Sequence, residues 1–282
     1  MSTYLNDAPI TSSRDDLFGV TPFARALARG IREIQSPEGV VLAIDGSWGS
    51  GKTSVINLIK EELNREERET IKVLSYAPWS VKGTDAVILG FLQSLYAAMD
   101  KGPALKARDL LKQVSRSIFF NFARVAGQAG EVAGNFVGAA PGVGGAIAGF
   151  TTGFLEPRFS DEGPEEAYKK LQDVLQQAEQ RYLMVIDDLD RLEPDELITI
   201  FRLVKTVGRL PNVIYLLVLD RRHAHKILTD RKFSDKNNDY LEKIIQCVFE
   251  VPNAEPVTEP PRVCRRLFCL SYAAMAGCSS EA

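Results

Sequence analysis

The stretch Val40-Val41-Leu42-Ala43-Ile44-Asp45-Gly46-Ser47-Trp48-Gly49-Ser50-Gly51-Lys52-Thr53 decides the fold of this chain. Its first half is a near-continuous apolar run, the pattern of a strand covered on both faces. Its second half spells GxxxxGK[ST] directly after that strand and directly before a helical pattern, Thr53–Leu63. Gly46, Gly49 and Gly51 permit backbone angles and close approaches that a Cβ would block. The loop then turns backbone N–H groups toward phosphates, and the helix N-terminus adds a favourable field. Lys52 would contact the β- and γ-phosphates, and the Thr53 hydroxyl would bind Mg²⁺. The expected nucleotide-binding set is Gly46, Ser47, Trp48, Gly49, Ser50, Gly51, Lys52, Thr53 and Ser54. A chance loop of the same spelling would lack the strand before it and the helix after it.

Four more short apolar runs follow: Ile71–Tyr76, Tyr182–Asp187, Val213–Leu219 and Cys247–Val251. Helical patterns separate them, at Thr84–Met99, Pro164–Arg181, Asp195–Val207 and Asp239–Ile245. Strand–helix alternation of this kind predicts an α/β fold with a parallel sheet.

The third run ends Val185-Ile186-Asp187-Asp188-Leu189-Asp190-Arg191. An acid at the carboxyl end of a buried parallel strand lies where ligands sit in open α/β sheets. Asp187 is the expected Mg²⁺ residue, acting through water. Asp188 is the expected residue to orient or deprotonate the attacking water, with Asp190 competing for that role. The alternative is a solvated acidic turn that merely starts a helix.

Composition narrows the classes of function. The 282 residues are 45% hydrophobic and 25% charged, ordinary globular usage that rules out a disordered or collagen-like chain. A formal charge of −3 disfavours non-specific nucleic-acid binding through overall charge. No basic-aromatic stripe is apparent, and no specific nucleic acid is expected as a partner. The four cysteines form no CxxC pair, and with only His223 and His225 a zinc site has few ligands to draw on. Free thiols in a reducing cytosol are the expectation. The N-terminus lacks a basic segment followed by an apolar one, so no secretory signal is read and the expected location is cytoplasmic.

A segment of about 60 residues, Lys101 to Glu162, interrupts the strand–helix alternation. Within it, 24 uncharged residues lie between Glu131 and Glu156, and seven of these are Gly and five Ala. Gly130, Gly134, Gly138 and Gly142 are spaced by four, as are Gly145, Gly149 and Gly153. Such spacing lets helix backbones approach closely, as in membrane helix pairs. Three readings stand side by side for residues 117–155: a packed hairpin in water, a membrane-inserting or re-entrant hairpin at the inner face of the cell membrane, and a disordered loop.

Several strings coincide: GSWGSGKT at residue 46, Tyr76-Ala77-Pro78-Trp79 after the second strand, DDLDR at residue 187, Leu219-Asp220-Arg221, and Tyr240 to Gln246 before the fifth strand. Together with Asp16-Leu17-Phe18-Gly19, they resemble the KAP family of P-loop NTPases over about residues 14 to 252. The extra strand between the phosphate loop and the acidic strand resembles the additional-strand branch of these proteins. That resemblance implies a three-layer core with sheet order 5-1-4-3-2, plus a helical insert. The implied divisions are a core in two parts, 1–100 and 163–252, an insert at 101–162 and a short tail at 253–282.

The family resemblance also implies ATP as ligand, with Mg²⁺, hydrolysed as a switch rather than in metabolism. Some bacterial relatives are linked to phage exclusion. Within the branch, the fourth strand ends in a residue that senses the γ-phosphate, a place Asp220 fills here. Lys52, Asp188 and Asp220 are thus the expected catalytic residues. Arg221 or Arg222 would serve as an arginine finger or belong to a solvated basic turn. ATP over GTP follows from the resemblance and from the lack of an NKxD string. Two alternatives accompany the ATPase reading: a nucleotide-dependent scaffold with negligible turnover, and a membrane-perturbing effector gated by the NTPase. A homo-oligomer and a further protein partner are open.

Overall fold

A computed structural model describes residues 8–34, 38–65, 71–99, 106–111, 114–115, 164–178, 180–233 and 239–252. The insert reading at 117–155 and the tail after residue 252 lie outside the described residues. So do Cys264, Cys269 and Cys278, whereas Cys247 is buried and forms no disulfide among the described residues.

Five strands form one parallel sheet: β1 (Val40–Asp45), β2 (Ile71–Tyr76), β3 (Arg181–Ile186), β4 (Val213–Leu219) and β5 (Cys247–Glu250). Their spatial order is β2-β3-β4-β1-β5, which is the expected 5-1-4-3-2 read from the other edge. The helices are α1 (Thr21–Glu33), α2 (Lys52–Leu63), α3 (Thr84–Ala98), α4 (Pro164–Gln176), α5 (Pro194–Val207) and α6 (Arg221–Asp230). Two expected helices are shorter than predicted: the one read at Pro164–Arg181 ends at Gln176, since Arg181 already opens β3. The helical pattern at Asp239–Ile245 is a single 3-10 turn at Leu241–Lys243, because the chain must enter β5 almost at once.

The period-2 alternation of strand side chains splits the core into two apolar layers. Val41, Ala43, Tyr182, Met184, Tyr215 and Leu217 face α3, α4 and α5. Leu42, Ile44, Leu183, Val185, Leu216 and Val218 face α1 and α2. β4 is buried along its whole length, as expected for a strand covered on both faces. Phe91 of α3 stacks on Tyr215 at 6.2 Å between centroids and meets Tyr76 edge-on. The Tyr215 hydroxyl donates to Val207 O, satisfying its one polar atom inside the core. α1 and α2 pack together on the other face, where Arg32 and Arg25 both reach Glu62.

α1 and α5 have well-made starts. Asp16 accepts hydrogen bonds from the N–H groups of Phe18, Val20 and Thr21 and from the Thr21 hydroxyl. These contacts outweigh the partial burial of its carboxyl and hold it below the usual aspartate range. α5 begins with Pro194 in its first turn and a capping box formed by Glu193 and Glu196. The other Glu196 oxygen accepts from Gly83 N at 2.8 Å, tying the start of α5 to the start of α3. Among the described residues no helix is long and apolar enough to cross a membrane.

Candidate nucleotide-binding site

Strand register brings the site together. Asp45 is level with Leu219, Ile186 with Leu217, and Tyr76 with Ile186. The carboxyl ends of β1 to β4 therefore form one edge. The loop after β1, the acidic turn after β3, the Asp220 turn after β4 and the Pro78–Ser80 turn after β2 all emerge from it. Three hydrogen bonds carry the ladders past the strand ends: Gly46 N to Leu219 O at 3.2 Å, Asp187 N to Tyr76 O at 3.1 Å and Val251 N to Asp45 O at 2.9 Å.

The glycine loop has the backbone its sequence calls for. Gly49 and Gly51 sit at φ +79° and +85°, in the left-handed region that L side chains rarely adopt. Gly51 is the residue before α2, so the loop feeds straight into that helix N-terminus. A Cβ at Gly46 would collide with the Ser50 hydroxyl. That hydroxyl is buried and has no hydrogen-bond partner, a free polar group inside the loop.

Lys52 turns its amine back into the loop. Its Nζ donates to Gly46 O at 2.8 Å and Ser47 O at 3.2 Å, and pairs with Asp190 Oδ2 at 2.9 Å. The two charged side chains are only 10% and 11% exposed. The second Asp190 oxygen accepts from Asp220 N at 2.6 Å. Asp190 therefore links the phosphate loop to the end of β4, a contact that the spelling DDLDR alone does not reveal.

Asp187 directly follows β3. Burial pushes its carboxyl above the usual aspartate range, opposed by the Asp188 N–H that it accepts at 2.8 Å. The Asp188 charge adds to the rise, while Lys60 and Lys52 oppose it. Asp188 has φ +57°, ψ +38°, a left-handed conformation that Asp tolerates better than most residues. It pairs with Arg191 Nε at 3.1 Å. Thr53 and Ser54 lie in the first turn of α2, and the Ser54 hydroxyl accepts from Ile10 N. Among the described residues no three His, Cys, Asp or Glu side chains gather as a metal cage.

Asp220 is placed differently from a free sensor. Its carboxylate caps α6, accepting from Arg222 N and His223 N at 2.9 and 3.2 Å. The group it sends to the site is its backbone N–H. Arg221 pairs with Asp239 at 3.2 Å, and its own N–H donates to Asp45. Its guanidinium is thus engaged within the chain. His225 lies 3.5 Å from Asp239.

Two residues absent from the expected set join the edge. Arg191 lies 5.1 Å from the Trp48 ring centre and 5.2 Å from that of Trp79. Trp79 and Arg191 each belong to a string that carries the family resemblance. No spacing within the sequence shows that positions 48, 79 and 191 converge.

The chain is 27% identical over 258 residues to the phage T7 exclusion protein of Escherichia coli, covering 88% of this chain and 35% of that protein. It spans about a third of that relative's length. The solved structure of the Aeropyrum pernix ORC2 protein (ADPNP-ADP complexes) aligns over 84% of this chain and 48% of that one, at 17% identity and a TM-score of 0.40. The model of the KAP family P-loop domain matches residues 20–258. With that match, the glycine loop after β1 and the acidic end of β3, the chain belongs to the KAP family of P-loop NTPases.

Proposed function

We propose that this protein binds Mg-ATP at the β1–α2 loop and hydrolyses it as a molecular switch. The observation that carries the reading is Lys52. Its amine is directed into a loop of left-handed glycines, close to an acid on the neighbouring turn, at a strand edge where ligands of open α/β sheets bind. The residues present suit the group. The N–H groups of the loop, the unpartnered Ser50 hydroxyl and the Lys52 cation suit phosphate oxygens, and Thr53 with Asp187 would hold Mg²⁺. When bound, the metal ion would neutralise charge on the phosphate chain. Asp188 would position water for in-line attack, with Asp190 as the competing residue, and Asp220 would hold Asp190 in place through its N–H. ATP as the base preference rests on family membership, and Arg222 is offered as a finger toward a neighbouring copy.

Likeness to the phage T7 exclusion protein supports a role in phage exclusion as a further part of this proposal. Membrane contact through 117–155, a location at the inner face of the cell membrane and a protein partner belong with it. The second reading, nucleotide binding with negligible turnover, has one observation in its favour. Asp188 and Asp190 are both already paired to cations of the chain. Phosphate release from Mg-ATP, measured beside Lys52→Ala, separates the two. Turnover lost in the variant supports the ATPase. Binding without turnover in the wild type supports the scaffold, and no binding refutes both.

A further inference from the structure

The chain has two tryptophans, and both lie against one arginine. Trp48 comes from the phosphate loop and Trp79 from the turn after β2, and they are 70% and 46% exposed. Exposed indoles at two separate loops form a costly arrangement unless something uses them. A guanidinium over two indole rings is held by the attraction of the cation to their faces. Of the five N–H donors in that planar fork, Nε meets Asp188. The two terminal amino groups have no partner among the described residues.

We propose that Arg191 binds the terminal phosphate of the nucleotide and that Asp188 is its partner only while that phosphate is absent. This rests on the reading of the β1–α2 loop as a nucleotide site. Three placements support it. Arg191 stacks on a residue of the phosphate loop itself. It directly follows Asp190, whose carboxylate pairs with the loop lysine. Its free donors form a fork that matches two phosphate oxygens, which the point charge of Lys52 cannot do. The Asp188–Arg191 pair is half-exposed on the arginine side and is readily exchanged for a stronger partner. Moving the guanidinium onto the phosphate releases the Asp188 carboxylate at the moment a water needs orienting. Diphosphate product lacks the group that holds Arg191, so the pair with Asp188 re-forms.

The test uses the full chain with Mg²⁺ and two probes, ADP and the non-hydrolysable triphosphate AMPPNP. Calorimetry gives the affinity for each. Tryptophan emission gives a second readout independent of turnover, because both indoles lie at Arg191. Losing a charge-assisted contact in Arg191→Ala should weaken AMPPNP by roughly 10- to 100-fold and leave ADP within about threefold. Wild-type emission should differ between the AMPPNP and ADP complexes, and that difference should vanish in the variant. Arg191→Lys, which keeps the charge without the fork, should fall between. Equal weakening of both nucleotides, or an emission difference between AMPPNP and ADP that survives in Arg191→Ala, would overturn the proposal while leaving the nucleotide site intact. A wild-type chain that binds neither probe would overturn the site reading and this assignment with it.

Discussion

The Lys52–Asp190 pair is the contact whose energetics can be worked out most directly. Its partners are 2.9 Å apart and about nine-tenths covered. Exposed pairs are worth about 0–1 kcal/mol, and breaking a fully buried pair costs about 3–5 kcal/mol. Lys52 keeps two carbonyl acceptors when Asp190 is lost, so its amine is not stranded. The Asp220 N–H does lose its acceptor, at about 1 kcal/mol. Asp190→Ala should therefore lower the stability of the nucleotide-free protein by about 2–4 kcal/mol. Urea denaturation of wild type, Asp190→Ala, Lys52→Met and the double variant isolates the pairwise part, expected at about 1–3 kcal/mol. The pair also has to loosen for Lys52 to meet phosphate. Added Mg-ATP should then raise the midpoint of Asp190→Ala by more than that of wild type. A coupling below about 0.3 kcal/mol would refute the idea that this pair holds the empty loop.

Other changes test separate parts of the structure. Gly51→Ala would force a side chain into φ +85°, costing about 1–2 kcal/mol and removing nucleotide binding, read by thermal unfolding and calorimetry. Gly208→Ala would press its Cβ against Val204 O beneath β1, so a loss of more than about 2 kcal/mol is expected in urea. For Asp187, burial raises the folded-state carboxyl above its unfolded value. That contribution to stability is fully present below the unfolded value and lost as pH rises through the folded one. Asp187→Asn should then match the wild type at acid pH, melt higher at neutral pH without nucleotide, and lose the Mg²⁺ dependence of binding. Melting curves across that pH range check the sign. Tyr215→Phe should cost about 1 kcal/mol by removing the hydroxyl's bond to Val207 O, which keeps the Leu210 N–H as a donor, read from the urea midpoint.

Much of the architecture is legible in local pattern. The runs at Val40–Asp45 and Val213–Leu219 become strands at those residues, since parallel strands covered on both faces are near-continuously apolar, and Ile71–Tyr76 does so as the partly exposed edge strand. The helical pattern at Asp195–Val207 locates α5 to within one residue of its start at Pro194. The pattern is least informative where the chain is short of room. The segment before β5 carries helical spacing yet makes only one turn. The glycine loop is largely local: apart from the Gly46 N–H, which reaches Leu219 O, its backbone hydrogen bonds and left-handed residues involve neighbours in the chain, so the spelling of residues 46–53 suffices to read the loop.

The partners of that site are another matter. Asp188, Asp190 and Asp220 look interchangeable as acids at strand ends, and nothing in their order tells which meets Lys52. Strand register decides it: with β4 lying between β1 and β3, the turn after β3 crosses over the loop after β1. This sets Asp190 against the lysine, turns Asp220 toward α6 and leaves Asp188 facing Arg191. Trp48, Trp79 and Arg191 are brought together by the same edge, although they are far apart in the chain. Backbone periodicity and loop spelling are properties of neighbouring residues, so the sequence by itself determined the strands and the phosphate loop. The pairing of side chains across three loops depends on sheet order and register, which only the tertiary structure decided.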